Sequence, residues 1–215
     1  MRSKLIAAFL IVCAFGAQAM QDNWKEVKDK KGVKVYNQSI EGSSFKAFRA
    51  EMNINANLST LIAAFNDVDA GTSWVENVDE MRLVKTTSVT DTITYTLSKA
   101  PWPVSDRDAV VHNITTQNPE TLVVTIDQAA VPDFVPRIKG NVRIEQLNST
   151  WTFTPVSENE TYVTYQVFTE PGGNLPAWLV NTVAVSQPYK TFLGLREMAA
   201  KAEYQQQELE HIQNY

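Results

Sequence analysis

Residues 171–207 read PGGNLPAWLVNTVAVSQPYKTFLGLREMAAKAEYQQQ, and they change the rhythm of the chain. Before Pro171, apolar residues recur at every second position in short runs. After Gly172-Gly173, which marks a turn, Asn181 to about Gln207 shows no such alternation and is rich in helix formers. Pro176 suits a first helical turn, and Pro188 is expected to kink this helix or break it in two. The first half, Trp178–Val185, is apolar on nearly every side; the second becomes amphipathic and turns polar at Tyr204–Tyr215. A helix half that is apolar all round has one face for a sheet rim and another for whatever fills a hole beneath it.

Upstream, the pattern is that of strands. Val33–Gln38 alternates weakly and Phe45–Ile54 more clearly. Asn57 is placed to cap a helix, LSTLIAAFND, whose Leu58, Leu61, Ile62 and Phe65 share one face. Gly71–Val78 is expected to be irregular or briefly helical. Met81–Ser88 and Asp91–Lys99 form a hairpin in which Ile93, Tyr95 and Leu97 alternate with threonines, as half-buried strands do. Asp106–Thr116, Thr121–Ala129, Gly140–Pro155 and Thr161–Glu170 continue the meander, separated by Asn118-Pro119 and Ser157-Glu158-Asn159. The order predicts an α+β fold: a curved antiparallel sheet wrapped around a long C-terminal helix, with an internal apolar cavity between them.

The N-terminus has the composition of a leader peptide. Arg2 and Lys4 precede an apolar stretch, Leu5–Phe15, and Ala17-Gln18-Ala19 forms a small-residue cleavage site. Residues 1–19 are therefore expected to be a signal peptide, and 20–215 a single exported domain without repeats or linkers. Cys13 does not fit a lipoprotein site, because Val12 is bulky and too few residues precede it. The mature chain then holds no cysteine, so thiol nucleophiles, thiolate metal sites and disulfides are excluded. Loss of Arg2 and Lys4 moves the formal charge from −5 to −7, which disfavours nucleic acid and anionic membrane surfaces.

Catalytic constellations are sparse. His112 and His211 are the two histidines, one in a strand and one in the polar tail. No H-E-x-x-H, G-x-S-x-G, Walker loop or dinucleotide glycine pattern occurs. Asp67 and Asp69 lack the further ligands of a calcium loop. No metal or cofactor is expected. The stretch that stands out is APWPVSDRDAVV, residues 100–111, in which Asp106, Arg107 and Asp108 enter an apolar strand. Alternation puts Arg107, Ala109, Val111 and Asn113 on one face and Asp108, Val110, His112 and Ile114 on the other. If the first face points inward, a buried guanidinium needs a partner, and Glu80 in WVENVDEMRL is the best candidate. A surface Asp-Arg-Asp cluster at a strand entrance accounts for the same residues.

Taken in order, these motifs resemble the START (steroidogenic acute regulatory-related lipid transfer) family and its bacterial members. They are Trp24, Val33-x-Val35-Tyr36, Phe48-Arg49-Ala50, Trp74 with Glu80 six residues on, Trp102-Pro103 and Ser105-Asp106-Arg107-Asp108. Gly173-x-Leu175-Pro176-x-Trp178-Leu179-x-Asn181, Pro188 and Leu195-Arg196 complete the set. The resemblance implies a helix-grip fold with a lipid tunnel, and a buried arginine–acid pair at Arg107 and Glu80. Tunnel or rim positions are then expected at Tyr36, Phe45, Trp74, Tyr95, Trp102, Phe134 and Trp151, and on the helix at Trp178, Leu179 and Val183. Each could equally belong to an ordinary core. The loop Val131–Arg137, with Phe134 at its tip, gates the tunnel or touches a membrane in this reading, or is simply a proline-stiffened turn.

The expected function is therefore a monomeric, non-enzymatic carrier of one small hydrophobic, lipid- or sterol-like ligand, exported to the periplasm, with brief membrane contact. A cyclase- or hydrolase-like enzyme would need Glu80 with Asp106 or Asp108 as an acid/base pair. A sensing module would instead expose an apolar patch when empty.

Overall fold

The computed structural model describes residues 23–100, 102, 104–173, 175 and 177–215, with only the backbone at 177–179 and 182. The expected leader peptide and Pro176 lie outside the described residues. Among those described, ten strands form one sheet. In chain order they are β1 (Lys25–Lys30), β2 (Val33–Ser39), β3 (Lys46–Ile54), β4 (Val78–Ser88), β5 (Asp91–Ser98), β6 (Arg107–Gln117), β7 (Val124–Ala130), β8 (Val142–Arg143), β9 (Gln146–Ser157) and β10 (Glu160–Glu170). The sheet order is β1-β2-β3-β10-β9-β7-β6-β5-β4, every neighbouring pair antiparallel, while the short β8 pairs parallel with β6.

Helix α1 (Leu58–Asn66) starts at Asn57, whose Oδ1 accepts from the Thr60 amide at 2.9 Å, as its residue type predicts. Leu58, Leu61 and Ile62 enter the main core with Ala50, Met52, Phe153 and Val163. A four-residue turn, α2 (Gly71–Trp74), follows. The C-terminal helix α3 (Ala177–Ala199) packs on β2, β3, α1 and α2, and a final turn, α4 (Ala202–Gln205), carries the tail back onto α1.

Three elements differ from expectation. Helix α3 runs through Pro188 without dividing, so the break, one of the two outcomes expected there, does not occur. Proline removes one helical hydrogen bond, but its ring is buried with Tyr189 and Phe192, so packing holds the turn together. Gly140–Pro155 is two strands, not one, because the chain turns between Arg143 and Gln146. Strand β1, KEVKDK, escaped detection because an exposed, charged edge strand has no apolar alternation.

Gly194 permits the contact between α2 and α3. A Cβ there would stand 2.4 Å from the Trp74 carbonyl oxygen, so only glycine lets the two backbones meet. This contact seats Trp74 beside α3.

Candidate functional site

A cavity of about 790 Å³ lies between the sheet and α3, within the upper range of small-molecule sites. Val180, Val183, Ala184, Gln187, Pro188 and Thr191 of α3 form one wall. Phe48 of β3, Phe65 of α1, Trp74 of α2, and Trp151 and Tyr165 of β9 and β10 line it as well. Trp151 stacks on Tyr165 with centroids 4.2 Å apart and on Phe192 at 5.3 Å, giving a rigid aromatic floor. Burial pushes the Tyr165 hydroxyl up to about 12.

The face of β6 that carries Arg107, Ala109, Val111 and Asn113 points into this cavity. Arg107 is 8 % exposed. Its Nε donates to the Pro171 carbonyl at 3.5 Å, its Nη2 to the Gly172 carbonyl at 3.2 Å, and its Nη1 to the Ser105 carbonyl. Gly172 and Gly173 hold φ of 65° and 66°, the left-handed conformation that turns the chain from β10 toward α3. Arg107 thus ties the turn after β10 to β6. A guanidinium has five N–H groups; two remain unclaimed among the described residues. Desolvation lowers the Arg107 pKa from its usual value, with Asp106 opposing the shift.

The expected Arg107–Glu80 pair does not form. Glu80 is exposed and pairs with Arg82 at 3.1 Å, because register shifts in β4 between Val78 and Glu80, and again between Leu83 and Lys85, set which side chains face in. Met81 and Leu83 line the cavity instead. Asp106 accepts from the Ala100 amide at 2.9 Å, which lowers its pKa, with Lys99 adding to the effect. Asp108 faces the other side of the sheet, where its carboxylate takes two bonds of 2.9 Å from Arg143. Glu80, Asp106 and Asp108 therefore do not converge as an acid/base pair.

Tyr95 is fully buried, but on the outer face rather than in the cavity. It packs with Ile93 and Val110 beneath Val131 and Val135, under the Arg82 guanidinium. The alternation of β5 is thus inverted relative to expectation: its apolar side feeds a second small core, and Thr92, Thr94 and Thr96 face the cavity. Phe134, 46 % exposed, lies in the loop over that outer core with its ring near the Lys85 ammonium, and does not line the cavity. Tyr36 sits outside the cavity, its hydroxyl donating to Glu51 at 2.9 Å. Trp74, Trp151, Phe45 and Val183 do line it. Trp102 is 93 % exposed, in a loop whose Ala100 and Val104 line the cavity. The Trp178 and Leu179 side chains lie outside the described residues.

Sequence reasoning missed Arg143, which also donates to the Pro132, Val135 and Pro136 carbonyls and so pins the loop that covers the outer core. Residues 142–143 are too short a strand to signal themselves. It also missed Gln128 and Ser149, which are polar residues on inward faces of β7 and β9. Among the described residues, no group of His, Cys, Asp or Glu could hold a metal ion, and no helix is long and apolar enough to cross a membrane.

A profile of the START domain matches residues 14–207. An uncharacterized protein of Pseudomonas aeruginosa is 39 % identical over 203 residues, covering 94 % of this chain and 100 % of that one. The crystal structure of a STAR-related lipid transfer protein fragment from Xanthomonas axonopodis superposes with a TM-score of 0.78 at 36 % identity, covering 84 % of this chain and 100 % of the fragment. Human ceramide transfer protein is 24 % identical over 193 residues, 80 % of this chain but 30 % of that protein's length.

Proposed function

Because the chain belongs to the START domain family, whose members bind and transfer lipids, we propose that it takes one amphipathic, lipid-like molecule into the cavity under α3 and carries or sequesters it away from water. The observation that carries this reading is the combination in one cavity of about 790 Å³ of aromatic and aliphatic walls with a single buried guanidinium, Arg107, that has no carboxylate partner among the described residues. Each methylene transferred from water to such walls contributes about 0.8 kcal/mol. A buried cation bound only by carbonyl oxygens favours an acidic or oxygen-rich head group, to which its two unclaimed N–H groups can donate.

The loop holding Trp102 borders the cavity and is the way in under this proposal. That indole, 93 % exposed beside cavity-lining Ala100 and Val104, is suited to a membrane interface, where an apolar ring and one N–H donor are both satisfied. The same proposal includes export through residues 1–19 and action as a monomer in the periplasm. Amino-terminal sequencing and light scattering of the protein recovered from that compartment test those two parts.

Native mass spectrometry of the purified protein, followed by lipid extraction, tests the reading directly. One lipid per chain is expected, and Arg107→Met should fold but lose about tenfold or more in occupancy, the worth of one charge-assisted hydrogen bond. An empty wild-type protein that also takes up no fluorescent lipid refutes the carrier reading. Unchanged occupancy in the Arg107→Met protein refutes the role given to Arg107.

A further inference from the structure

A row of hydrogen-bonded polar side chains crosses the cavity wall. Thr94, Asn113, Gln128, Ser149 and Tyr165 stand on β5, β6, β7, β9 and β10, five successive neighbours in the sheet, and all line the cavity. The Ser149 hydroxyl donates to Gln128 Oε1 at 2.9 Å, Gln128 Nε2 donates to Asn113 Oδ1 at 2.7 Å, and Asn113 Nδ2 donates to Thr94 Oγ1 at 3.1 Å. Every link between Ser149 and Thr94 points the same way, which fixes both amide orientations and polarises each bond along the chain.

The Asn113 amide also meets Thr92 and the Val111 carbonyl, and two hydrogens of the chain from Ser149 to Thr94 are left over. Gln128 has a second amide N–H, and Thr94 has its hydroxyl hydrogen; neither has an acceptor among the described residues. Both belong to cavity-lining side chains, and Thr94 is 7 % exposed. What the wall offers at this level is therefore donors. Donors match an acceptor oxygen, and the absence of a formal charge in the row matches a neutral one. Asn113 lies six residues beyond Arg107 on the same face of β6, or about 20 Å along the strand.

We infer that this row is a second binding subsite, for a neutral hydroxyl or carbonyl oxygen carried part-way along the ligand, about 20 Å from the group held by Arg107. The inference rests on the carrier reading and narrows its ligand class. The occupant is an amphipathic chain or fused-ring molecule with an acidic or oxygen-rich head and one interior oxygen, rather than a plain hydrocarbon tail. A plain tail leaves both donors unpaired against hydrocarbon, which is the term that creates selectivity.

Displacement of a bound fluorescent fatty acid tests this, using fatty acids of one length that carry a single keto group at successive positions, with the unsubstituted acid as reference. In the wild-type protein one interior position should bind about tenfold tighter than the reference, and the others should not. Gln128→Met, close in shape but without the amide, should flatten that peak by tightening the reference acid and the other positions toward it, because no donor is then left unpaired against a plain tail. Thr94→Val, which keeps the branched shape of a strand residue, should lower the same peak, and it decides the matter if Gln128→Met fails to fold by thermal melt. A flat positional profile in the wild-type protein overturns the inference, as does a peak that survives both substitutions. If the fluorescent fatty acid itself does not bind, the carrier reading fails, an outcome distinct from a flat profile of tight binders.

Discussion

Asp108 and Arg143 form an ion pair with bonds of 2.9 Å and both side chains 1 % exposed, and removing one partner should be expensive. Asp108→Asn keeps the size of the side chain but leaves a guanidinium buried without a counter-charge. Breaking such a pair costs about 3–5 kcal/mol, against a total stability of about 5–15 kcal/mol for a domain. For a chain of this length each kcal/mol shifts the melting temperature by about 2–4 °C, so a fall of about 6–20 °C is expected. Urea unfolding gives the same quantity as a lower midpoint at unchanged slope. The double variant Asp108→Leu/Arg143→Met should recover to within about 2 kcal/mol of wild type, because a well-packed apolar pair often replaces a buried salt bridge. Recovery is incomplete because the Pro132, Val135 and Pro136 carbonyls lose their donor. A single-variant loss below about 1 kcal/mol, the value of a surface pair, refutes the reasoning, as does a double variant no better than the single one. Ligand occupancy supplies a second check: Asp108 faces away from the cavity, so a folded Asp108→Asn protein should load lipid normally.

Gly194→Ala, which stabilises many helices, should here destabilise by about 1–3 kcal/mol, because the added methyl meets the Trp74 carbonyl; an unchanged or raised melting temperature would contradict this. Tyr165 has a folded pKa raised by burial to about 12, so its contribution to stability is present below the unfolded value near 10 and is lost as pH rises through 12. Urea midpoints measured across that window should fall, and the fall should shrink in Tyr165→Phe; an equal fall in both proteins would remove Tyr165 as the cause. Trp102→Ala should leave the melting temperature within about 0.5 kcal/mol of wild type, since the side chain is 93 % exposed. It should slow lipid transfer between vesicles, and an unchanged transfer rate would dissociate the loop from membrane contact.

The strand pattern of β6 was legible because alternation has a period of two: Arg107, Ala109, Val111 and Asn113 share one face whatever surrounds them. The same rule misled on β5. Its apolar side chains, Ile93, Tyr95 and Leu97, do face a core, but that core is built by Val131 and Val135 from a loop some forty residues further on. Periodicity says that two faces differ, not which of them meets the cavity. Glu80 failed as a partner for a related reason. Register shifts in β4 change which side chains face inward, and nothing local in WVENVDEMRL announces them.

What the sequence determined by itself was the kind and order of most elements, the asparagine cap of α1, the turn at Gly172-Gly173, the two faces of the arginine strand and the family to which these belong. Each depends on interactions between residues close in the chain, or on a motif that survives as a string. Only the tertiary structure decided that Arg107 is held by the carbonyls of Ser105, Pro171 and Gly172. It alone paired Asp108 with Arg143 and aligned Thr94, Asn113, Gln128 and Ser149 across the cavity wall. Those partners are separated by up to 65 positions in the chain. A buried polar group takes whatever donor or acceptor the packed sheet brings within 3 Å or so, and that is settled by strand register and loop closure rather than by local composition.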